Sequence, residues 1–305
     1  MNRRHLLLSS LALTGGLTLT ACASVPAAVV TPAFASDRIG VSVEGAGPDV
    51  ILIPGLSSHP VIWDTTAAHL IATGHRVHRV WVSGFAGRPA GTNAAGDQVG
   101  QPVADEIARY IREQNLDHPA VIGHSMGGWM GLVLAARHPE LVGRLMVVDM
   151  MPFMGAMFGP PGATPDQVRP VAEQIRESIR SVPLDQRRLR AEQTIAGMIR
   201  TESLREGPIQ NTLDSDYDVV ARSFHELIVT DLRPELANIT APTTVLYVTP
   251  TGAPLTDQQL DVFYQLSYET LPNHRLVRIP DAAHFIMFDN PTRFFTEVDA
   301  FLSTE

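Results

Sequence analysis

The chain has no lysine: all 23 of its basic residues are arginine. That absence removes Schiff-base catalysis, a phosphate-binding loop of the lysine type and a Ser-Lys dyad, each of which needs a primary amine. Cysteine is nearly as scarce, with Cys22 alone among 305 residues, so no disulfide can form within the chain. Charge is thin as well. Only 18% of residues are charged and the formal balance is −9, the opposite of the basic stripe that neutralises phosphates, so no nucleic-acid partner is expected. There is no H-E-x-x-H, no paired cysteine and no Asp-rich calcium loop, and His75 and His78 stand three apart on or beside one strand, which sends them to opposite faces. Neither a metal nor another cofactor is expected. What the chain does have is apolar content, 45% over a length that suits one large or two ordinary domains, enough for a sizeable core.

The N-terminus carries a targeting pattern. Arg3 and Arg4 precede an apolar, small-residue run over 6–20, which ends at Leu19-Thr20-Ala21-Cys22. A positive start before an apolar stretch too brief for a membrane span is how a secretory signal is built. The last four residues resemble the bacterial lipobox, whose cysteine is acylated after cleavage. The expectation is a signal peptide over 1–22, a lipid anchor on Cys22 as the only membrane contact, and a flexible spacer over 23–37. Ala23 is no retention signal, so the expected location is a bacterial periplasm or outer membrane. The alternative is a plain secreted protein, cut after Ala23 or after Ala33-Phe34-Ala35. Arg3-Arg4 also fits twin-arginine export.

Folding is expected to begin near Ile39. Residues 39–44 alternate apolar and polar, as an edge strand does, whereas 49–53, 77–82, 120–123, 145–148, 244–248 and 275–279 read as strands buried on both faces. Helical patterns over 61–72, 101–114, 126–137, 257–270 and 291–302 alternate with them, which predicts an α/β protein: a mostly parallel sheet with helices on both faces. The stretch 151–238 holds no convincing strand, only helical segments such as 164–179, 183–199 and 216–227. It reads as an inserted helical cap over the catalytic edge, dividing a core of 38–150 and 239–305.

Chemistry is concentrated at Gly123-His124-Ser125-Met126-Gly127-Gly128, where a strand runs into a helix. This is the G-x-S-x-G nucleophile elbow: the sharp turn needs small neighbours and leaves the Ser125 hydroxyl exposed above the sheet, facing the positive end of the following helix.

With that motif the chain resembles the α/β-hydrolase superfamily, in particular the compact bacterial branch with a helical cap after the family's sixth strand. The resemblance runs over 39–301 and is carried by the elbow together with Ile53-Pro54-Gly55-Leu56, Ala136-Arg137-His138-Pro139-Glu140 and Ala283-His284-Phe285. Pro54 departs from it, since many relatives carry His before the glycine, but that loop works through its backbone. The resemblance implies the α/β-hydrolase fold, His284 as the base that takes the serine proton, and oxyanion donors from the backbone N–H groups of Leu56 and Met126. His124 is expected to pack or support. The acid is open between two residues. Most relatives place it after the seventh strand, but residues 249–256 contain no carboxylate and the first one beyond, Asp257, is expected to open a helix capped by Thr256. Asp149, 24 residues after Ser125, ends the preceding strand, where some members supply the acid; it is the favoured candidate.

Met150, Met151, Phe153, Met154, Met157 and Phe158 follow directly on Asp149 and are candidates for an apolar substrate pocket, with core packing the alternative. His59 and Trp63 could close the same pocket, although Trp63 reads more simply as a helix anchor. Gly84-Phe85-Ala86-Gly87 is a permissive loop beside the site. The expected function is hydrolysis of a small apolar carboxylic ester by an acyl-enzyme on Ser125. Lactone, amide, perhydrolase and carbon–carbon bond chemistry stay open on the same triad, as does a non-catalytic ligand-binding protein of this fold. Serine at the elbow excludes the dehalogenase and epoxide hydrolase reactions, which need Asp there.

Overall fold

A computed structural model describes residues 34–250, 252 and 255–303. The expected signal peptide, the lipobox with Cys22 and all of the spacer before Phe34 lie outside the described residues.

Among the described residues seven strands form one sheet in the order β1-β3-β2-β4-β5-β6-β7. They are β1 (Ile39–Gly45), β2 (Asp49–Ile53), β3 (Arg76–Val82), β4 (Ala120–His124), β5 (Arg144–Val148), β6 (Thr243–Tyr247) and β7 (His274–Arg278). Only β1 is antiparallel, pairing with β3 at one edge. The parallel strands are apolar without alternation because both of their faces are covered. Ile51, Ile53, Val121, Leu145, Val147 and Val245 pack on one face beneath α2 (Gly100–Glu113) and α3 (Met126–Arg137). Their chain neighbours Val50, Leu52, Ile122, Met146, Val148 and Leu246 pack on the other against α1 (Asp64–Ala72) and α10 (Pro291–Ser303). This is the two-residue period of a strand, and each fully buried Leu, Ile or Val contributes roughly 1.5–3 kcal/mol of transfer free energy.

The strand order reverses at β2: the chain passes from β2 to β3 on one side, then returns through α2 to lay β4 on the other. At such a switch point the loops leaving the two strands splay apart and open a crevice at their carboxyl ends. Gly55 and Ser125 leave from there.

The structure departs from the sequence reading in several places. The helix expected over 61–72 is broken into a 3-10 turn, Pro60–Trp63, capped by the His59 ring, followed by α1. The helix expected over 257–270 is α8 (Asp257–Ser267) and ends early. Ordered packing also starts before Ile39: Phe34 sits edge-on to Tyr110 at 5.0 Å with the Arg109 guanidinium over its face at 4.4 Å, so 34–37 is not a free spacer. The helical insertion follows the fifth strand among the described residues, one fewer than the family's numbering.

Between β5 and β6 lie α4 (Pro165–Arg180), α5 (Leu184–Met198), α6 (Glu206–Leu213) and α7 (Tyr217–Val229). Phe153, Val168, Ala172 and Ile228 form a small core of their own, which withdraws Phe153 from any substrate pocket. Helix α7 is bound to the sheet layer through polar groups. The Glu226 carboxylate accepts the N–H groups of Val99 and Gly100 at 2.7 Å and of Gln101 at 3.0 Å, so it caps the N-terminus of α2 from across the chain. One turn earlier Arg222 donates to the carbonyls of Gly96 and Asn93, both at 2.7 Å.

Candidate active site

Ser125 sits between β4 and α3 with φ +52°, the left-handed region that non-glycine residues rarely occupy. Its N–H bonds to Val148 O at 2.8 Å and its carbonyl accepts from Trp129 N at 3.1 Å. The turn closes because Gly123 and Gly127 have no side chains. A methyl on Gly127 would stand 2.2 Å from Ile53 O, and one on Gly123 2.2 Å from Gly127 O. The loop after β2 runs equally close, since a methyl on Gly55 would come within 3.0 Å of Ser125 Cβ. Leu56, the next residue, is therefore beside the Ser125 turn, and Met126 opens α3 on its other side.

Asp149 follows β5 directly, also with positive φ, +54°. Its N–H bonds to Leu246 O at 2.7 Å, across the β5–β6 pair. The carboxylate is shared between two jobs. Oδ1 accepts from Val248 N at 3.1 Å, with the Tyr264 hydroxyl at a long 3.5 Å, while Oδ2 accepts from His284 Nδ1 at 2.6 Å. A carboxylate can only accept, so Nδ1 carries the proton and Nε2 is left as the basic nitrogen. Among the described residues His284 Nε2 and Ser125 Oγ form no hydrogen bond with each other; such bonds often tighten only with substrate in place. Asp257, the other candidate acid, is bound to Thr249 Oγ1 at 2.7 Å and to Arg278 at 2.6 Å, and the structure does not bring it to His284.

His124 is buried beside His284, the ring centroids 4.6 Å apart, and donates from Nε2 to the His284 carbonyl at 3.0 Å. Burial, and then the neighbouring His284, hold its pKa well below the usual histidine value, so it stays neutral. His78 belongs to a separate buried network, its ring bridging Asp49 Oδ1 at 2.8 Å and the Tyr110 hydroxyl at 2.7 Å.

Behind the acid, Tyr264 and Tyr268 occupy one face of α8 and its end. Burial first, then the charge of Asp149, pushes both phenols well above their ordinary pKa, so both remain donors. Tyr268 donates to Met150 O at 2.7 Å, and the Tyr264 ring stacks on Tyr247 at 4.1 Å. The sequence shows the spacing of four between these tyrosines on an expected helix, but not their place behind Asp149, 115 residues away in the chain from Tyr264. Of the apolar pocket candidates, Met150 and Met151 are buried in the main core and Met157 is 57% exposed. Trp63 is fully buried against Phe294 as an anchor. His59 caps the turn at Val61 N and meets Trp81 edge-on. The 84–87 loop is bound to the insertion through Gly84 O and Gly87 N. A cavity of about 770 Å³ lies between α4, α7 and the loop before α2, lined by Arg38, Arg169, Arg176 and His225 among others; none of Ser125, Asp149 and His284 borders it.

Comparison with known proteins agrees with this architecture. A family described as alpha/beta hydrolase fold matches residues 48–291. A pimeloyl-[acyl-carrier protein] methyl ester esterase of Pectobacterium carotovorum is 27% identical over 278 residues, covering 85% of this chain and 96% of its own. Among solved structures, an esterase from Exiguobacterium antarcticum superposes with a TM-score of 0.72 at 18% identity, over 87% of this chain and 96% of that one. An enol-lactonase from Burkholderia xenovorans does so with a TM-score of 0.69 at 19% identity, over 87% and 96%. With the family match spanning most of the chain, and the sheet order and elbow in agreement, the chain belongs to the α/β-hydrolase fold family.

Proposed function

We propose that the protein is a serine hydrolase that cleaves a small apolar carboxylic ester through an acyl-enzyme on Ser125. The observation that carries this reading is the 2.6 Å hydrogen bond from His284 Nδ1 to Asp149, which orients a basic Nε2 in a protein whose Ser125 stands on a strained elbow at the start of a buried helix. Relatives at 24–27% identity bear the name of a methyl ester esterase, which favours an ester carbonyl.

In the proposed reaction Ser125 Oγ attacks the ester carbonyl carbon as its proton passes to His284 Nε2. The carbonyl oxygen becomes an oxyanion facing the N–H groups of Leu56 and Met126, and each such donor is worth about 10²–10³ in rate. His284 returns the proton to the departing alkoxide as the C–O bond breaks. Water then attacks the acyl-enzyme with His284 again as base, which releases the acid and restores the serine. Asp149 holds the tautomer and stabilises the imidazolium.

The experiment is labelling with a fluorophosphonate, alongside turnover of p-nitrophenyl esters of increasing chain length. Wild type should label and Ser125→Ala should neither label nor turn over ester. Residual turnover within about tenfold of wild type, or ~1.4 kcal/mol of barrier, would overturn the assignment.

We also propose export and lipid anchoring at Cys22, which the Leu19-Thr20-Ala21-Cys22 pattern supports. Cell fractionation tests it: Cys22→Ala should leave the membrane fraction, and a variant that stays there refutes the anchor.

A further inference from the structure

Three consecutive positions around His284 are held by three different parts of the chain. Ala283 N–H donates to Asp289 Oδ2 at 2.9 Å, the His284 carbonyl accepts from His124 Nε2 at 3.0 Å, and Phe285 N–H donates to Met198 O at 3.1 Å. Asp289 closes the short helix α9 (Ile286–Asp289) and does more than hold Ala283. It also accepts from Arg200 N at 3.0 Å, and from Thr201 N and Thr201 Oγ1, each at 2.9 Å. One carboxylate thus ties the loop that carries His284 to residues 198–201, the strip that leaves α5 within the insertion. Apolar packing runs the same way: Ala191, Ile195 and Ile199 share a buried cluster with Ala282, Phe285 and Ile286.

We propose that Asp289 is a positioning residue for His284, acting by clamping the histidine loop to the 198–201 strip. The insertion then reaches His284 through that strip. This rests on the reading of Ser125, His284 and Asp149 as the triad. Asp149 sets only how the imidazole is turned; where its backbone lies must be set separately, and the clamp does that. Displacing a reacting group by about 1 Å can cost on the order of 10²-fold in rate. An ionised carboxylate suits the task because it accepts from several N–H groups at once. An amide accepts through its oxygen alone, since its nitrogen is a donor, whereas Asp289 accepts at both oxygens.

The test uses the whole mature protein as wild type, Asp289→Asn, Thr201→Val and Ser125→Ala. It reads the rate constant for fluorophosphonate labelling, kcat and KM for a p-nitrophenyl ester, and amide hydrogen exchange. Asp289→Asn should slow labelling and lower kcat by about tenfold or more, with KM nearly unchanged, and exchange should rise together at 199–201 and 283–285. Thr201→Val, which removes a single bond to the carboxylate, should move labelling and exchange the same way by a smaller factor. Asp289→Asn labelling at the wild-type rate overturns the proposal, as does slowed labelling with 283–285 still protected. If Asp289→Asn does not fold, Thr201→Val decides, and unchanged labelling and exchange overturn the proposal. Failure of the wild type to label, or persistent labelling of Ser125→Ala, refutes the triad reading instead. Exchange at 283–285 then still judges the clamp.

Discussion

Asp149 and His284 stand 135 residues apart in the chain and share a 2.6 Å hydrogen bond, with the carboxylate held from behind by the Val248 N–H. The bond is possible because β5 and β6 are neighbours: Val148 pairs with Leu246, so the residue after β5 meets the backbone after β6. If Asp149 orients the base, Asp149→Asn should lower kcat by about 10⁴, the scale of the analogous change in a serine protease triad. Asp257→Asn, which disturbs a partly exposed pair with Arg278 and a bond from Thr249 Oγ1, both away from His284, should stay near wild type. Steady-state kinetics on both folded variants checks this, and the reverse pattern would sink it.

Tyr268 is the only described side chain on the Met150 carbonyl, the residue after the strained Asp149. Tyr268→Phe leaves that buried acceptor unpaired and should cost about 1–3 kcal/mol, read from urea unfolding. Tyr264→Phe gives up only a 3.5 Å contact and should cost under about 1 kcal/mol. Equal losses in the two variants would argue against this reading.

Glu226, 2% exposed, supplies the cap for α2 from the insertion. Glu226→Ala strands three N–H groups at a buried helix start and should lower stability by about 3 kcal/mol or more. Chemical denaturation followed by tryptophan fluorescence suits the measurement, since Trp129 packs where Gly100 begins the helix. A midpoint unchanged from wild type would show that water replaces the carboxylate.

Acid should destabilise the fold through its buried histidines. His124, like His78, has its folded pKa lowered, by burial before any other cause, while the unfolded value is near 6.5. Below that pH the unfolded chain binds protons that the folded chain does not, so stability falls as pH falls, and it is restored above about 6.5. A fully buried histidine such as His124 contributes a slope of up to about 1.4 kcal/mol per pH unit. Unfolding free energies at pH 7.5 and 5.5 should therefore differ, and His124→Asn should reduce the difference. Identical slopes in variant and wild type would mean that His124 is protonated in the fold.

Much of the architecture could be read from the chain alone because it depends on near neighbours. The apolar runs at β2, β4, β5 and β6, and the glycines around Ser125, act within a few residues of themselves: a strand buried on both faces needs no polar side, and a tight turn excludes side chains wherever it occurs. Asp149 could be favoured over Asp257 for a similar reason, since the chain after β6 offered glycine and proline where a carboxylate was expected. Phe153 stayed open between pocket and core because a Met- and Phe-rich stripe looks the same whether it lines a pocket or fills the insertion's own core. The break at Trp63, the two tyrosines behind Asp149, the Glu226 cap and the Asp289 clamp were decided only by tertiary structure. Asp289 has no sequence signature because most of its partners are backbone N–H groups, 88 and 89 residues away at Thr201 and Arg200. Every non-proline residue offers an identical N–H, so nothing in the side-chain order says which one a carboxylate will meet; that follows only from which strands become neighbours and where the loops between them close.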